Sequence, residues 1–108
     1  MELRYFLGSG DESPFEDWFA DLDAAAAAKV SVAMARLEQG NLSNVKGVGA
    51  GVLEYRIDWG LGYRIYFGRD GDVLVILLTG GTKRRQQRDI EAAKLLWDDY
   101  RRRRPRGQ

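Results

Sequence analysis

The fold is decided by residues 52–81, VLEYRIDWGLGYRIYFGRDGDVLVILLTGG. Two turn signals, Gly60–Leu61–Gly62 and Asp70–Gly71, divide this stretch into three runs of strand-forming residues, which predicts three consecutive antiparallel strands. The first two runs alternate between apolar and polar side chains, as strands with one buried face do. The third, residues 73–78, has no polar position and is predicted to be an interior strand covered on both faces.

The polar face of the predicted hairpin carries arginines. A turn centred near Gly60 places Arg56 and Arg64 almost opposite each other, and like charges directly opposite destabilise a sheet. The pair therefore predicts an anion-binding site, and replacing either arginine is expected to leave stability unchanged or slightly raised. The alternative is that both are exposed sheet charges paired with Glu54 and Asp58, since most surface ion pairs are solvated and contribute little.

The rest of the chain supplies helices and one more strand. Ser13-Pro14-Phe15-Glu16 is a capping box that predicts the start of a first helix, and Asp23 is predicted to cap a second helix that stops at Gly40. The remaining assignments are a first strand over 2–7, a loop over 41–51 and a last helix over about 86–101.

This order predicts one α+β domain over residues 1–100, with a small, mainly antiparallel sheet and the helices packed on one of its faces. The order of elements is strand, two helices, three strands and a helix. Residues 101–108 begin with four consecutive arginines and have no apolar side chain, so they are predicted to be a basic disordered tail.

Composition excludes several function classes. The chain of 108 residues has no cysteine and no histidine, so disulfides are impossible and zinc or haem sites of the usual kinds are not expected. No cofactor or metal is predicted. No apolar run approaches membrane-spanning length, and no signal-peptide pattern opens the sequence. A cytoplasmic protein without a membrane partner is expected.

Charge is distributed unevenly along the chain. Residues 1–40 hold three basic and eight acidic side chains, whereas residues 83–108 hold ten basic and four acidic ones. A basic C-terminal third indicates a polyanionic partner. Lys83, Arg84 and Arg85 also stand near the predicted start of a helix, where the dipole disfavours cations, and this placement favours a functional role over a structural one.

Two motifs resemble a known protein family. They are E-x-R-I followed by G-x-G-Y-R-I-Y-F in the hairpin, and G-G-x-K-x-x-Q-x-x-D-I at the junction of the last strand and helix. Both resemble the addiction-module killer proteins, which are phage Gp49-like or HigB-like members of the RelE/ParE toxin superfamily. The resemblance covers roughly residues 5–97 and implies a toxin of a prokaryotic or phage type II toxin–antitoxin system. The superfamily contains both messenger-RNA endonucleases and inhibitors of DNA gyrase, and the first expectation for this chain is an endonuclease that cleaves messenger RNA on the ribosome without a metal ion.

The resemblance also implies partners and residue roles. The expected partners are the ribosome, messenger RNA and a cognate antitoxin. The antitoxin would be a helix-turn-helix protein encoded by the neighbouring gene, and the toxin would contact operator DNA only through it. The basic residues are expected to contact the scissile phosphate and flanking RNA or to stabilise developing charge, and strand alternation places Tyr66 among them, where it could stack on RNA or transfer a proton. The residues assigned to catalysis are Arg56, Arg64, Tyr66, Lys83 and Arg84. Those assigned to RNA binding alone are Lys46, Arg85 and Arg88.

The chain departs from the family pattern in its acid–base groups. Ile90 stands near the place where RelE has a tyrosine, and there is no histidine. General acid–base chemistry would then fall to Tyr66, Asp58, Lys83 or groups of ribosomal RNA. Two other function classes remain open. One is a ParE-like inhibitor of DNA gyrase, and the other is a catalytically degenerate toxin that acts only as an antitoxin-binding module.

Overall fold

Five strands and three α-helices make up the computed structural model, which describes residues 1–104. In chain order they are β1 (Glu2–Tyr5), α1 (Pro14–Ala20), α2 (Ala24–Glu38), β2 (Val45–Gly49), β3 (Val52–Ile57), β4 (Tyr63–Asp70), β5 (Leu74–Thr82) and α3 (Gln86–Arg103). A short 3₁₀ turn, Lys83–Arg85, joins β5 to α3. The sheet order is β1-β5-β4-β3-β2, with β1 parallel to β5 and every other pair antiparallel. The predicted α+β fold class with a mainly antiparallel sheet is confirmed.

The two N-terminal helices begin where the sequence predicted. The Ser13 side chain accepts a hydrogen bond from the Glu16 amide at 3.1 Å, and the Asp23 carboxylate accepts one from the Ala26 amide at 2.8 Å. Each cap satisfies an amide that would otherwise lack an intrahelical partner. Local sequence therefore sets the residue at which each of the two helices begins.

The predicted loop over 41–51 is wrong in part, because it contains β2. This strand pairs with β3 in a register that sets Lys46 opposite Glu54, and the ladder is irregular between Gly47 and Gly49. An edge strand with glycine at two of its five positions has little apolar alternation, so periodicity could not reveal it. The consequence is that Lys46 lies on the sheet and not in a flexible loop.

Helices cover both faces of the sheet, so the prediction of helices on one face is wrong. One core cluster gathers side chains of α1 and α2 with the inward residues of three strands; its buried members are Phe15, Val30, Ala33, Leu37, Tyr55, Ile65, Phe67, Val75 and Leu77. The other lies on the opposite face beneath α3; its buried members are Phe6, Val52, Tyr66, Ile76, Leu78, Ile90, Ala93 and Trp97. Successive side chains of a strand point to opposite faces, so the uniformly apolar run of β5 requires cover on both.

Two glycines let large indole rings pack directly on the sheet. A Cβ atom at Gly68 would lie 2.5 Å from the Trp97 ring, and one at Gly80 would overlap the Trp18 ring. Real side chains do not approach so closely, so each glycine is required by its tryptophan. Trp97 thereby anchors α3 against the middle of β4, and Trp18 anchors α1 against β5.

The last helix is longer than predicted. Arg101–Arg103 continue α3, although we expected a disordered tail from residue 101. The Arg103 guanidinium donates to the Leu7 carbonyl and that of Arg104 to the Asp70 carboxylate, both at 2.6 Å. Residues 105–108 of the predicted tail lie outside the described residues. Within the described part of the chain, no helix has the length and apolar character needed to cross a membrane.

Candidate anion-binding site

A pocket of about 480 Å³ opens at one end of the sheet, where β3 and β5 finish and β2 and β4 begin. We call it the basic pocket. Its lining residues are Ser43, Asn44, Val45, Lys46, Arg56, Ile57, Asp58, Gly62, Arg64 and Lys83. The four cations come from four separate segments: β2, β3, β4 and the turn that follows β5. The antiparallel ladder thus brings together residues that are far apart in the sequence.

Arg56 and Arg64 are direct partners in the β3–β4 ladder, as the turn at Gly60 predicted. Their exposure differs greatly, since the Arg56 side chain is 51% exposed and that of Arg64 only 5%. Arg64 is held inward by a 2.6 Å hydrogen bond from its Nη1 to the Gly62 carbonyl. Arg64 therefore forms the floor of the basic pocket, while Arg56 stands at its open side.

The carboxylate of Glu54 lies between the two arginines. Its Oε1 is 3.6 Å from Arg56 Nε and its Oε2 is 3.6 Å from Arg64 Nε, and the side chain is fully buried. Its Oε2 also accepts hydrogen bonds from the Tyr66 hydroxyl and from Gln86 Nε2, both at 2.9 Å. The Glu54 carboxylate offsets the repulsion between Arg56 and Arg64. The sequence had led us to assign that role to an external anion.

The basic pocket nevertheless keeps an excess of positive charge. Glu54 is shared between two arginines, and the exposed side chains of Lys46 and Lys83 form no ion pair with another described residue. Asp58 is the single acidic residue of the lining and likewise forms none there. A concave, cationic surface of this kind attracts an anion, and guanidinium groups suit phosphate because their fork can bind two of its oxygens.

Tyr66 is not where the sequence led us to expect it. Alternation places it on the arginine face correctly, but α3 covers that part of the face and the side chain is fully buried. It cannot stack on a ligand in the basic pocket. Burial raises the pKa of the Tyr66 hydroxyl, and its hydrogen bond to Glu54 and the charge of that carboxylate raise it further. The hydroxyl therefore keeps its proton and acts on the pocket only by orienting Glu54.

Three further cations predicted to act on RNA lie outside the basic pocket. Arg84 and Arg85 belong to the 3₁₀ turn, and Arg88 to the first turn of α3; all three are exposed. Arg85 and Arg88 stand near Asp89, whose pKa is raised by burial although both arginines oppose the change. The structure thus places these arginines on a basic surface beside the pocket and does not bring them to its floor.

The buried carboxylate is the part of the site that sequence reasoning missed. The sequence suggested Glu54 only as an ion-pair partner for exposed arginines, and Gln86 only as one residue of the second family motif. The sequence did contain a signal for this contact. Glu54 lies two positions before Arg56, and Arg64 is predicted opposite Arg56 on the neighbouring strand. The burial of Glu54 depends on α3, which the hairpin sequence does not reveal. Within residues 1–104 no cluster of three acidic side chains is arranged to hold a metal ion.

The fold and the pocket together define a class of small α+β protein with a RelE-like sheet and a cationic pocket at one end of it. A model of the family described as "Phage derived protein Gp49-like (DUF891)" matches residues 17–97, and the chain belongs to this family of RelE/HigB-like toxins. An uncharacterized protein of Haemophilus influenzae is 46% identical over 83 residues, which are 76% of this chain and 84% of that relative. The matched family segment contains every residue of the basic pocket.

Proposed function

We propose that the chain is the toxin of a type II toxin–antitoxin system and cleaves messenger RNA on the ribosome. The observation that carries the proposal is the meeting of Lys46, Arg56, Arg64 and Lys83 in one concave pocket on a RelE/HigB-like toxin fold. Such a pocket suits the phosphodiester of a single RNA strand, whose backbone is the main source of affinity for basic proteins. The ribosome would supply the geometry of the message, and the protein would supply the cations.

The reaction proposed is attack of a ribose 2′-hydroxyl on the adjacent phosphorus. A bond forms from the 2′-oxygen to phosphorus and the bond to the 5′-oxygen breaks, which leaves a 2′,3′-cyclic phosphate and a 5′-hydroxyl. Negative charge grows on the phosphoryl oxygens, and Arg56 and Lys83 are the exposed cations that would stabilise it. Removing one preorganised donor of this kind typically costs about 10²–10³-fold in rate. Arg64, held below them, would set the floor on which the phosphate rests.

Proton transfer would be carried by Asp58 and Lys83. Tyr66 is buried and does not line the pocket. Apart from the two arginines and Lys46, the ionisable groups of the lining are the Asp58 carboxylate and the Lys83 ammonium. We assign to Asp58 the removal of the 2′-hydroxyl proton, and to Lys83 or a group of ribosomal RNA the protonation of the leaving 5′-oxygen. Positioned acid–base groups typically contribute about 10²–10⁴-fold.

We also propose neutralisation by a cognate antitoxin, which the same charge distribution supports. Several exposed cations in and beside the pocket form no ion pair with another described residue; they are Lys46, Lys83, Arg84, Arg85 and Arg88. Arg56 pairs with Glu54 but stays half exposed. An acidic segment of a helix-turn-helix antitoxin, encoded beside this chain, would cover these cations. Operator DNA would be bound through that antitoxin.

One observation favours a second candidate. The burial of Tyr66 and the absence of histidine leave few conventional proton-transfer groups, and neither gyrase inhibition nor antitoxin binding alone needs any. A ParE-like gyrase inhibitor would arrest replication first and cause DNA breaks while messages stay intact. A catalytically degenerate toxin would arrest neither process.

The experiment is to express the chain alone from an inducible promoter and to map RNA 5′ ends over the first minutes. We expect translation to fail before replication, with new 5′ ends inside translated reading frames. Purified protein should cut little naked RNA and should cut messages on ribosomes. The variant Arg56→Gln should lose this cleavage. Arg69→Gln is the matched control, because Arg69 is an exposed arginine on β4 outside the basic pocket.

A further inference from the structure

A second pocket adjoins the basic pocket around the end of the sheet. Its volume is about 300 Å³, and it shares Asn44, Arg56, Ile57 and Asp58 with the first. The remaining lining residues come from α2, from β3 and from the segment after β3: Lys29, Val32, Ala33, Arg36, Tyr55 and Trp59. We call it the α2 pocket. The two pockets therefore form one continuous depression that runs past Arg56 from the α3 face of the sheet to the α2 face.

The α2 pocket carries positive charge on an otherwise acidic part of the chain. Lys29 and Arg36 are two of only three basic residues among residues 1–40, a segment with eight acidic ones. They are seven positions apart on α2, with Val32 and Ala33 between them, which is the spacing of one helix face. Both are exposed, and neither forms an ion pair with another described residue. Placing both cations here is the pattern expected of a surface that meets an anion.

The aromatic ring of Trp59 forms one wall of the α2 pocket. Trp59 is 37% exposed. It is stacked on Tyr63 with 6.0 Å between ring centroids and 26° between planes, and Lys29 Nζ lies 5.5 Å from the centroid of its ring. Tyr63 supports this ring, and the exposed Lys29 ammonium lies over it. A base of a single-stranded nucleic acid that stacks on Trp59 would displace this ammonium toward the phosphate of the same nucleotide.

We infer that the α2 pocket binds the RNA nucleotide next to the scissile phosphate, with its base on Trp59 and its phosphate near Lys29 and Arg36. The inference rests on the proposed function, because it makes the α2 pocket a flanking subsite of the same RNA strand. Arg56 lines both pockets and would contact the backbone between them. The volume is at the lower end of the range for small-ligand sites, about 300–1,000 Å³, as a subsite for one nucleotide requires. The exposed Asn44 lines both pockets and would hydrogen-bond the edge of the base, while Asp58 keeps its role at the scissile phosphate.

The test measures binding of a fluorescent RNA hexanucleotide whose 2′-hydroxyls are methylated, so that it cannot be cleaved. Fluorescence anisotropy with the full chain gives Kd for the wild type, Trp59→Leu and Lys29→Gln. Trp59→Leu should weaken binding about 5- to 100-fold, the loss of one base–aromatic stack. Lys29→Gln, an exposed change that leaves the core untouched, should lower the slope of log K against log salt by about 0.7. Tyr5→Leu is the matched control, because Tyr5 is an aromatic residue 42% exposed on β1, at the opposite edge of the sheet.

A second RNA isolates the stacking contact. A set of hexanucleotides is prepared, each with one abasic nucleotide at a different position. One of these RNAs should bind the wild type more weakly than the others do. Trp59→Leu should show no further loss with that RNA. Equal affinity of Trp59→Leu and the wild type, or no measurable binding by the wild type, would overturn the inference.

The remaining outcomes separate the subsite from the proposed function. If Trp59→Leu bound RNA normally but escaped an acidic antitoxin segment, the α2 pocket would be a protein-docking site and the inference would be wrong. If Arg56→Gln lost cleavage of messages on ribosomes while Trp59→Leu bound and cleaved as the wild type does, only the subsite would fail. If the wild type cleaved no message on ribosomes, the proposed function would fail.

Discussion

Arg64 Nε lies 3.6 Å from Glu54 Oε2, and both side chains are buried. This pair makes the two arginines of the β3–β4 ladder unequal, because Arg64 is tied to the protein while Arg56 is half exposed. Arg64 Nε and Glu54 Oε1 have no hydrogen-bond partner among the described residues, so the pair is held mainly by charge. A buried charge that loses its partner is costly, whereas an exposed one is not.

Stability should therefore separate the two arginines. Arg64→Ala should lower the free energy of unfolding by about 3–5 kcal/mol, because it leaves Glu54 buried and less compensated. Arg56→Ala should change it by less than about 1 kcal/mol, because Arg56 is half exposed and the buried Glu54 keeps Arg64, Tyr66 and Gln86 as partners. Urea denaturation followed by circular dichroism measures both. Equal effects, or a stabilised Arg64→Ala variant as the sequence alone predicted, would contradict the role of Glu54 as the internal anion.

The acid–base assignment can be tested by comparing Tyr66→Phe with Asp58→Asn. Tyr66→Phe removes a donor to a buried carboxylate and should destabilise the fold by about 1–3 kcal/mol. Its cleavage rate on ribosomes, measured on folded protein, should fall less than about tenfold, because the hydroxyl does not reach the pocket. Asp58→Asn should keep stability and lower the rate at least about 10²-fold. The reverse order of rates would assign proton transfer to Tyr66.

Trp97 should matter for folding and not for chemistry. Trp97→Ala empties the contact with Gly68 on β4 and should cost about 3–5 kcal/mol through an unfilled cavity. Toxicity should fall only in proportion to the folded fraction, as measured by soluble protein level and thermal unfolding. A fully folded Trp97→Ala variant that lost cleavage would place Trp97 in the site.

The hairpin shows what the sequence could establish. Turn residues Gly60–Gly62 and strict alternation fixed the register that sets Arg56 opposite Arg64, because hairpin geometry is local. The caps at Ser13 and Asp23 were predictable for the same reason. Periodicity indicated neither Lys46 nor Lys83: Lys46 came from the family resemblance, and Lys83 from that resemblance and from its position near a helix start.

Long-range packing explains what the sequence did not reveal. The burial of Tyr66 and Glu54 depends on where α3 lies, and periodicity assigns a side chain to a face without saying whether a helix covers it. The edge strand β2 is too rich in glycine to alternate visibly. The α2 pocket joins Lys29 to Trp59, thirty positions apart in the sequence, and no local pattern relates them.

Binding of the antitoxin should depend on salt. We expect an acidic segment to cover the basic pocket, so raising ionic strength from about 0.05 M to about 0.5 M should slow association at least about tenfold. Stopped-flow mixing of the purified partners gives this rate, and Lys46→Gln with Lys83→Gln should flatten the dependence. If the association rate did not change with ionic strength and both lysines could still be acetylated in the complex, the antitoxin would have to bind another surface.

We propose that the basic pocket cleaves messages on the ribosome. The most direct measurement is the map of RNA 5′ ends after induction of the wild type, Arg56→Gln and Arg69→Gln at equal folded levels. We predict new ends inside translated frames for the wild type and Arg69→Gln, and none above background for Arg56→Gln. Intact messages under the wild type, or the same new ends under Arg56→Gln, would contradict the claim.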